Sequence, residues 1–231
     1  MDQHKVVVVT GGGGALGSVV AQTFLTKGHA VAVTVRSEEE RTRLAPALKE
    51  KALVVRTDVT DEKDVRALYD TVMRKHSRVD IAVNTVGGFL SKKNLTDVAV
   101  DEWERMFSIN LRSAFLCTRE ALRRMKGYGR IINISAMVGL KPTAGRAPYA
   151  ISKAGVTLLT EIAAEETKGT GITVNAIAPS IIATEANKKS MPEEDFTQWV
   201  TPEQIAETML YLCSDDAASI SGTTIRAFGG V

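Results

Sequence analysis

Residues 6–17, "VVVVTGGGGALG", decide the fold. Four consecutive valines favour a strand, because branching at Cβ suits a pleated backbone and restricts χ1 in a helix. A run with no polar alternation predicts a strand covered on both faces. Thr10 ends it, glycines fill 11–14, and a helical pattern begins near Ala15. Glycine lets the backbone turn tightly and come close to a pyrophosphate, and the helix start presents unpaired N–H groups at the positive end of its dipole. A strand–glycine–helix order at the front of an alternating chain therefore points to nucleotide binding.

The alternation continues almost to the end. "AVAVTV", "ALVVRT", "DIAVN", "RIINIS", "GITVNAI" and "TTIRAF" read as further strands, with amphipathic stretches between them. Helix starts are marked by Thr60 before "DEKDV", by "DEWE" with Asp101 at the cap and Glu104 closing the box, and by "TPEQ" with Thr201, Pro202 and Gln204. Repeated strand–helix order predicts an α/β, doubly wound Rossmann-type fold, a seven-stranded and mainly parallel sheet with helices on both faces, forming a single domain over 1–231. Ligands in such sheets bind beyond the carboxyl ends of the strands, so the residues just after each strand are the ones to inspect.

Composition narrows the function. The chain has 231 residues, 44% of them hydrophobic, with 29 basic and 27 acidic side chains and a net charge of +2. That balance argues against a nucleic-acid binder built on phosphate neutralisation. The pairs Lys92-Lys93, Arg123-Arg124 and Lys188-Lys189 read as solvated surface. Cys117 and Cys213, far apart, suggest neither a disulfide framework nor a metal site. "MDQHKVVVVTGG" is too short in apolar residues for a signal peptide, and no window is long enough for a membrane span, so a cytoplasmic protein is expected.

"PYAISKAG", residues 148–155, places Tyr149 one helical turn before Lys153 on the same face. A free phenol has a pKa of about 10, and an adjacent ammonium favours the phenolate, so the pair is either surface decoration or a phenol made more acidic by a fixed positive charge.

With these residues in hand, the chain resembles the short-chain dehydrogenase/reductase family, over Val6 to Gly230. "TGGGGALG" is similar to its TGxxxGxG turn, with Thr10, Gly11 and Gly17 in register and Ala15 in place of the middle glycine. The resemblance implies a nicotinamide dinucleotide resting on Gly11, Gly14, Ala15, Leu16 and Gly17. "RTDVT" resembles the adenine-contacting strand end, giving Asp58 and Val59. "VNTVGG" is similar to the NNAG segment, giving Asn84 and Gly87 while Thr85 and Val86 depart. "APSIIATE" resembles PGxIxT, with Pro179, Ile182 and Thr184 matching and Ser180 replacing glycine. After the second strand stand Val35 and Arg36; a guanidinium there pairs with a 2′-phosphate, so NADP(H) is preferred and NAD(H) is possible, the alternative being that Arg36 faces solvent and begins a salt-bridged helix with Glu38 to Glu40. The family further implies Tyr149 as general acid/base, Lys153 as its partner and holder of the ribose hydroxyls, and Asn110 of "FSINL" as the residue ordering a relay water.

One departure bears on substrate. The family's catalytic serine falls thirteen residues before the tyrosine, where this chain has Ala136; Ser135 is adjacent. Neighbouring strand residues face opposite ways. Three accounts stay open: a local twist presents Ser135, the substrate needs no second donor, or catalysis is lost. Residues 184–199 resemble a segment of dihydropteridine reductases, relatives that also carry alanine there, which adds a quinonoid substrate to carbonyls and alcohols. A 3-oxoacyl thioester reductase, with Arg123, Arg124 and Lys126 as a carrier-docking patch, and a nicotinamide-binding regulator are the alternatives. The resemblance implies a homo-tetramer or homo-dimer and a small-molecule substrate.

Overall fold

The computed structural model describes residues 4–90 and 92–231; Met1–Gln3 of the stretch read for a signal peptide lie outside them. The chain runs β1 (Val6–Thr10), α1 (Ala15–Thr26), β2 (Ala30–Val35), α2 (Glu38–Arg43), α3 (Pro46–Lys51), β3 (Leu53–Arg56), α4 (Glu62–His76) and β4 (Ile81–Asn84). It continues with α5 (Val100–Met106), a π-helical stretch Phe107–Arg112, α6 (Ser113–Arg124), β5 (Gly129–Ile134), α7 (Met137–Leu140) and α8 (Ala147–Glu166). β6 (Ile172–Pro179), α9 (Glu185–Ser190), α10 (Pro202–Leu212) and β7 (Thr224–Ala227) complete it. The strands form one sheet in the order β3-β2-β1-β4-β5-β6-β7, every pairing parallel. This is the expected doubly wound fold.

Period-two alternation splits the core. Val7, Val9, Val31 and Val33 face α1 and α10, packing on Phe24, Ile205 and Met209. Val6, Val8, Ala32 and Ala82 face the other way, onto Leu68 and Tyr69 of α4 and Leu116 and Ala121 of α6. Both faces are thus buried, which is why the strands read as unbroken apolar runs. Cys117 and Cys213 are buried and unpaired. Among the described residues, no helix is long and apolar enough to cross a membrane.

The helix caps are partly shifted. Thr201 accepts from Gln204 N–H while the Gln204 side chain accepts from Thr201 N–H, as the sequence predicts. At α4 the cap is Asp61, which accepts from Lys63 and Asp64. The Thr60 hydroxyl is instead donated to Asp58 at 2.7 Å. At α5 the box closes from Glu102 back to Ala99 N–H, with Asp101 in the first turn. The three-residue spacing survives, two positions earlier than expected.

The order of strands reverses at β1, where the chain leaves toward β3 on one side and returns to β4 on the other. Thr10 and Asn84, the last residues of β1 and β4, lie side by side there. That junction positions the site.

Candidate active site

Beyond these strand ends lies a cleft of about 650 Å³. Its floor is the glycine turn. Gly11 has φ of 76°, a left-handed conformation natural only to glycine, and donates to Thr34 Oγ1 at 2.9 Å. Gly17 is needed for another reason: a Cβ there would stand 2.1 Å from Gly11 O. Ala15 is exposed at the first position of α1, so its methyl borders the cleft without disturbing the turn. Gly14, the N-cap, has no side chain to cap the helix, so the first-turn amides keep no intrahelical partner and stand at the cleft. Open amides, a positive dipole and a backbone with no side chain in the way fit a pyrophosphate, and the cleft suits a dinucleotide in size.

At one end of the cleft, Val35, Arg36, Asp58 and Val59 come together as expected. Glu40 was not foreseen as a site residue. It accepts from Arg36 N–H at 2.8 Å and from Arg36 Nε at 2.9 Å, and forms an ion pair with the same guanidinium. Burial pushes the Glu40 carboxyl up, but the Arg36 hydrogen bonds outweigh it and hold it below the ordinary carboxylate value. Hydrogen bonds from Thr60 likewise hold Asp58 low, with Arg36 adding a smaller pull. The cleft therefore carries a carboxylate beside its cation. The salt-bridged helix that the sequence offers as the alternative for Arg36 thus forms, through Glu40 at i+4, and its carboxylate also borders the cleft.

Gly87 links the cleft to the second end. A Cβ on Gly87 would stand 3.0 Å from Asn110 Oδ1 and 3.1 Å from Lys153 Nζ. Lys153 is buried and donates to Ile134 O at 2.7 Å. Tyr149, one turn earlier on α8, meets the Phe89 ring edge-on at 5.6 Å. Among the described residues, its hydroxyl has no hydrogen-bond partner. Burial pushes this phenol up to about 12, with Arg146 pulling the other way. Burial lowers Lys153 to about 8. The expectation that Lys153 lowers the phenol is thus corrected: each group has lost water around its charged form, and that loss dominates.

Asn110 sits in the π-helical stretch, a local widening common at functional sites. Its Oδ1 accepts from Gly88 N–H at 2.8 Å, and its Nδ2 donates to Gly88 O and Ser152 Oγ, each at 3.1 Å. The side chain is a clamp between the loop after β4 and α8, and its amide is already occupied by protein.

Several expected residues lie elsewhere. Ser135 is 1% exposed; its hydroxyl donates to Lys153 O at 2.9 Å and shares a second bond with Thr157 Oγ1. It cannot replace the serine missing at Ala136, because strand alternation sends it into α8. Asn84 donates to Asn133 Oδ1 at 2.8 Å and to Thr118 Oγ1, which ties β4 to β5 and α6 beneath the cleft. Thr85, not Asn84, reaches the turn, donating to Thr10 O. Pro179 ends β6, Ile182 bridges to Val200, and Thr184 caps α9 through Asn187 N–H; none of them borders the cleft, and Asn110, Tyr149 and Lys153 likewise stand behind its lining, next to Gly87 rather than on its wall. Trp199 is buried and packs on Phe196 with ring centroids 4.8 Å apart. Arg123 and Arg124 are paired with Glu120, and Arg124 also with Asp70, so they offer no free basic patch.

The short chain dehydrogenase model matches residues 5–195. The chain belongs to that family. It is 32% identical to the cis-4-hydroxycyclohexanecarboxylate dehydrogenase of Sinomonas cyclohexanicum, covering 98% of this chain and 96% of that protein. It is also 32% identical to the 3-oxoacyl-[acyl-carrier-protein] reductase FabG of Haemophilus influenzae, over 99% of this chain and 98% of that one. Among solved structures, ElxO with NADP bound superposes with a TM-score of 0.92 at 30% identity, covering 99% of this chain and 98% of that one. This member of the family is an oxidoreductase that moves hydride between a nicotinamide and a small molecule, a carbonyl/alcohol or quinonoid pair.

Proposed function

We propose that the protein is an NADP(H)-preferring reductase of carbonyl compounds in which Tyr149 exchanges the proton. The observation that carries this reading is the position of Gly87, which brings the dinucleotide cleft within about a side chain's width of Lys153. Gly11, Gly14, Ala15, Leu16 and Gly17 would hold the pyrophosphate, Arg36 a 2′-phosphate, Asp58 and Val59 the adenine end, and Lys153 the ribose beside the reacting ring. When bound, the nicotinamide supplies the hydride. Tyr149 gives its phenolic proton to the oxygen as the carbonyl carbon is reduced, leaving a phenolate that Lys153 stabilises. A phenol held near 12 stays protonated at neutral pH, which suits it as an acid, and a lysine near 8 keeps most of its charge there.

NADP(H) rests on Arg36, and Glu40 qualifies it. A 2′-phosphate must take the guanidinium from Glu40, so the preference over NAD(H) is a contest between two anions for one cation. In the thioester alternative, two cations of the docking patch, Arg123 and Arg124, are engaged by Glu120 and Asp70, which leaves Lys126 exposed to meet a carrier. Assembly as a homo-dimer or homo-tetramer is supported by Phe115 on α6 and by Ile151, Leu158 and Ile162 on α8, all exposed and apolar; a second copy laying the same helices across them would cover both faces at once. The test is direct. The purified protein should enhance and blue-shift NADPH fluorescence and oxidise NADPH with a carbonyl acceptor; absence of binding to either dinucleotide would end the reading.

A further inference from the structure

Arg146 stands at the start of α8, three residues before Tyr149. Its guanidinium lies over the Phe89 ring, 4.6 Å from the centroid, and donates to Leu90 O at 3.2 Å. Phe89 meets Tyr149 edge-on, with ring planes at 80°. Cation, ring and phenol thus form one contiguous cluster around Tyr149. The guanidinium has five N–H donors, and one is used in that bond. Among the described residues, none of the ion pairs involves Arg146, although the chain pairs many of its other arginines. Lys92 runs alongside: its Cγ would lie 2.5 Å from a Cβ on Gly145, the residue before Arg146. Lys92 has no carboxylate partner either, whereas its neighbour Lys93 is paired with Glu102 at 2.7 Å.

A half-buried cation with no counter-ion, held by an aromatic ring beside the reacting group, is a site waiting for an anion. The geometry favours a planar one. A guanidinium matches the two oxygens of a carboxylate through parallel hydrogen bonds. Phosphate sites usually add the amides of a helix start, and here Pro148 removes one of them.

We propose that Arg146, supported by Lys92, binds a carboxylate on the substrate, so that the enzyme acts on oxo and hydroxy acids in preference to neutral ketones and alcohols. This rests on the reductase reading above. It also gives the missing serine a physical context, since a substrate anchored at its carboxylate is oriented toward Tyr149 without a second hydroxyl.

The test compares 4-oxopentanoate, 3-oxobutanoate and 4-oxocyclohexanecarboxylate with their methyl esters. Wild-type protein should favour each acid by about 10–100-fold in kcat/KM, the range of a charge-assisted contact. Arg146→Gln should collapse that ratio toward unity, and Arg146→Lys should restore part of it. Calorimetric binding of the acids and esters to the protein–NADPH complex gives a readout that does not need turnover: acids should bind wild type more tightly than esters, and Arg146→Gln should erase the difference. Equal binding or turnover of acid and ester by wild type, or equal losses for both in Arg146→Gln, would overturn the carboxylate site while leaving the reductase reading intact. Failure of NADPH itself to bind would instead sink the reductase reading.

Discussion

The cleft and the region behind Gly87 treat their cations in opposite ways. Arg36, on the cleft wall, is largely exposed and already answered by Glu40. Lys153, behind Gly87, is buried and gives its ammonium to a backbone carbonyl. The first arrangement costs little and is easily exchanged, because exposed ion pairs contribute only about 0–1 kcal/mol. The second is costly to the fold, and the loss of water shows in a lysine lowered to about 8. In the proposed reductase, selectivity between cofactors would then rest on reversible surface pairing and chemistry on enforced burial.

The sharpest way to break this contrast is Tyr149→Phe. Removing the proton donor should lower kcat by about 10³-fold, within the usual contribution of general acid/base catalysis, while NADPH affinity by fluorescence titration stays within about threefold. A variant with wild-type turnover would remove the phenol from the mechanism.

Lys153→Met comes next, with kcat expected to fall about 10²-fold. It also carries a stability signature. The lysine binds its proton less tightly in the folded protein, at about 8, than at its ordinary 10.5. Between those values the unfolded chain holds more protons, so wild-type stability should gain a rising contribution from pH 8 to 10.5. Denaturant melts across that window should show the contribution in wild type and its absence in Lys153→Met. Identical pH profiles would mean that the ammonium is not desolvated.

The ribose end should respond more mildly. Glu40→Gln frees Arg36, so the Kd ratio of NADH to NADPH should rise about tenfold, as expected for one charge-assisted bond. A fall in the ratio would show that Glu40 supports the phosphate site. Smallest of all is Ser135→Ala, which should leave kcat within about threefold while costing roughly 1 kcal/mol of stability from a lost buried hydrogen bond. A collapse of turnover would return Ser135 to the catalytic group.

Local signals place an element best where backbone and neighbours carry them. All seven strands, the glycine turn and the Thr201 cap are local, and each lies where the sequence pattern puts it. The caps that moved did so for side-chain reasons: Thr60 gives its hydroxyl to Asp58, so Asp61 takes the helix. Asn84 and Ser135 show a different effect. Both are polar and both border the site in sequence; Ser135 is consumed by Lys153 and Thr157, whereas Asn84 gives its amide to Asn133 and Thr118 and keeps a buried, unpaired Oδ1. Motif register locates a residue along the chain and is silent about which way its side chain is used.

What the sequence alone determined is the parallel sheet, the glycine cradle at its switch point and the pairing of Tyr149 with Lys153 on one helical face. These follow from periods of two and 3.6 residues and from glycine's freedom, properties of neighbouring residues. Tertiary structure decided the ionisation of that pair, the capture of Arg36 by Glu40, the clamping of Asn110 and the contact of Arg146 with Phe89 beside the phenol. Each depends on how much water a group keeps and on what the fold brings beside it, and burial is a property of the packed molecule that no stretch of chain carries by itself.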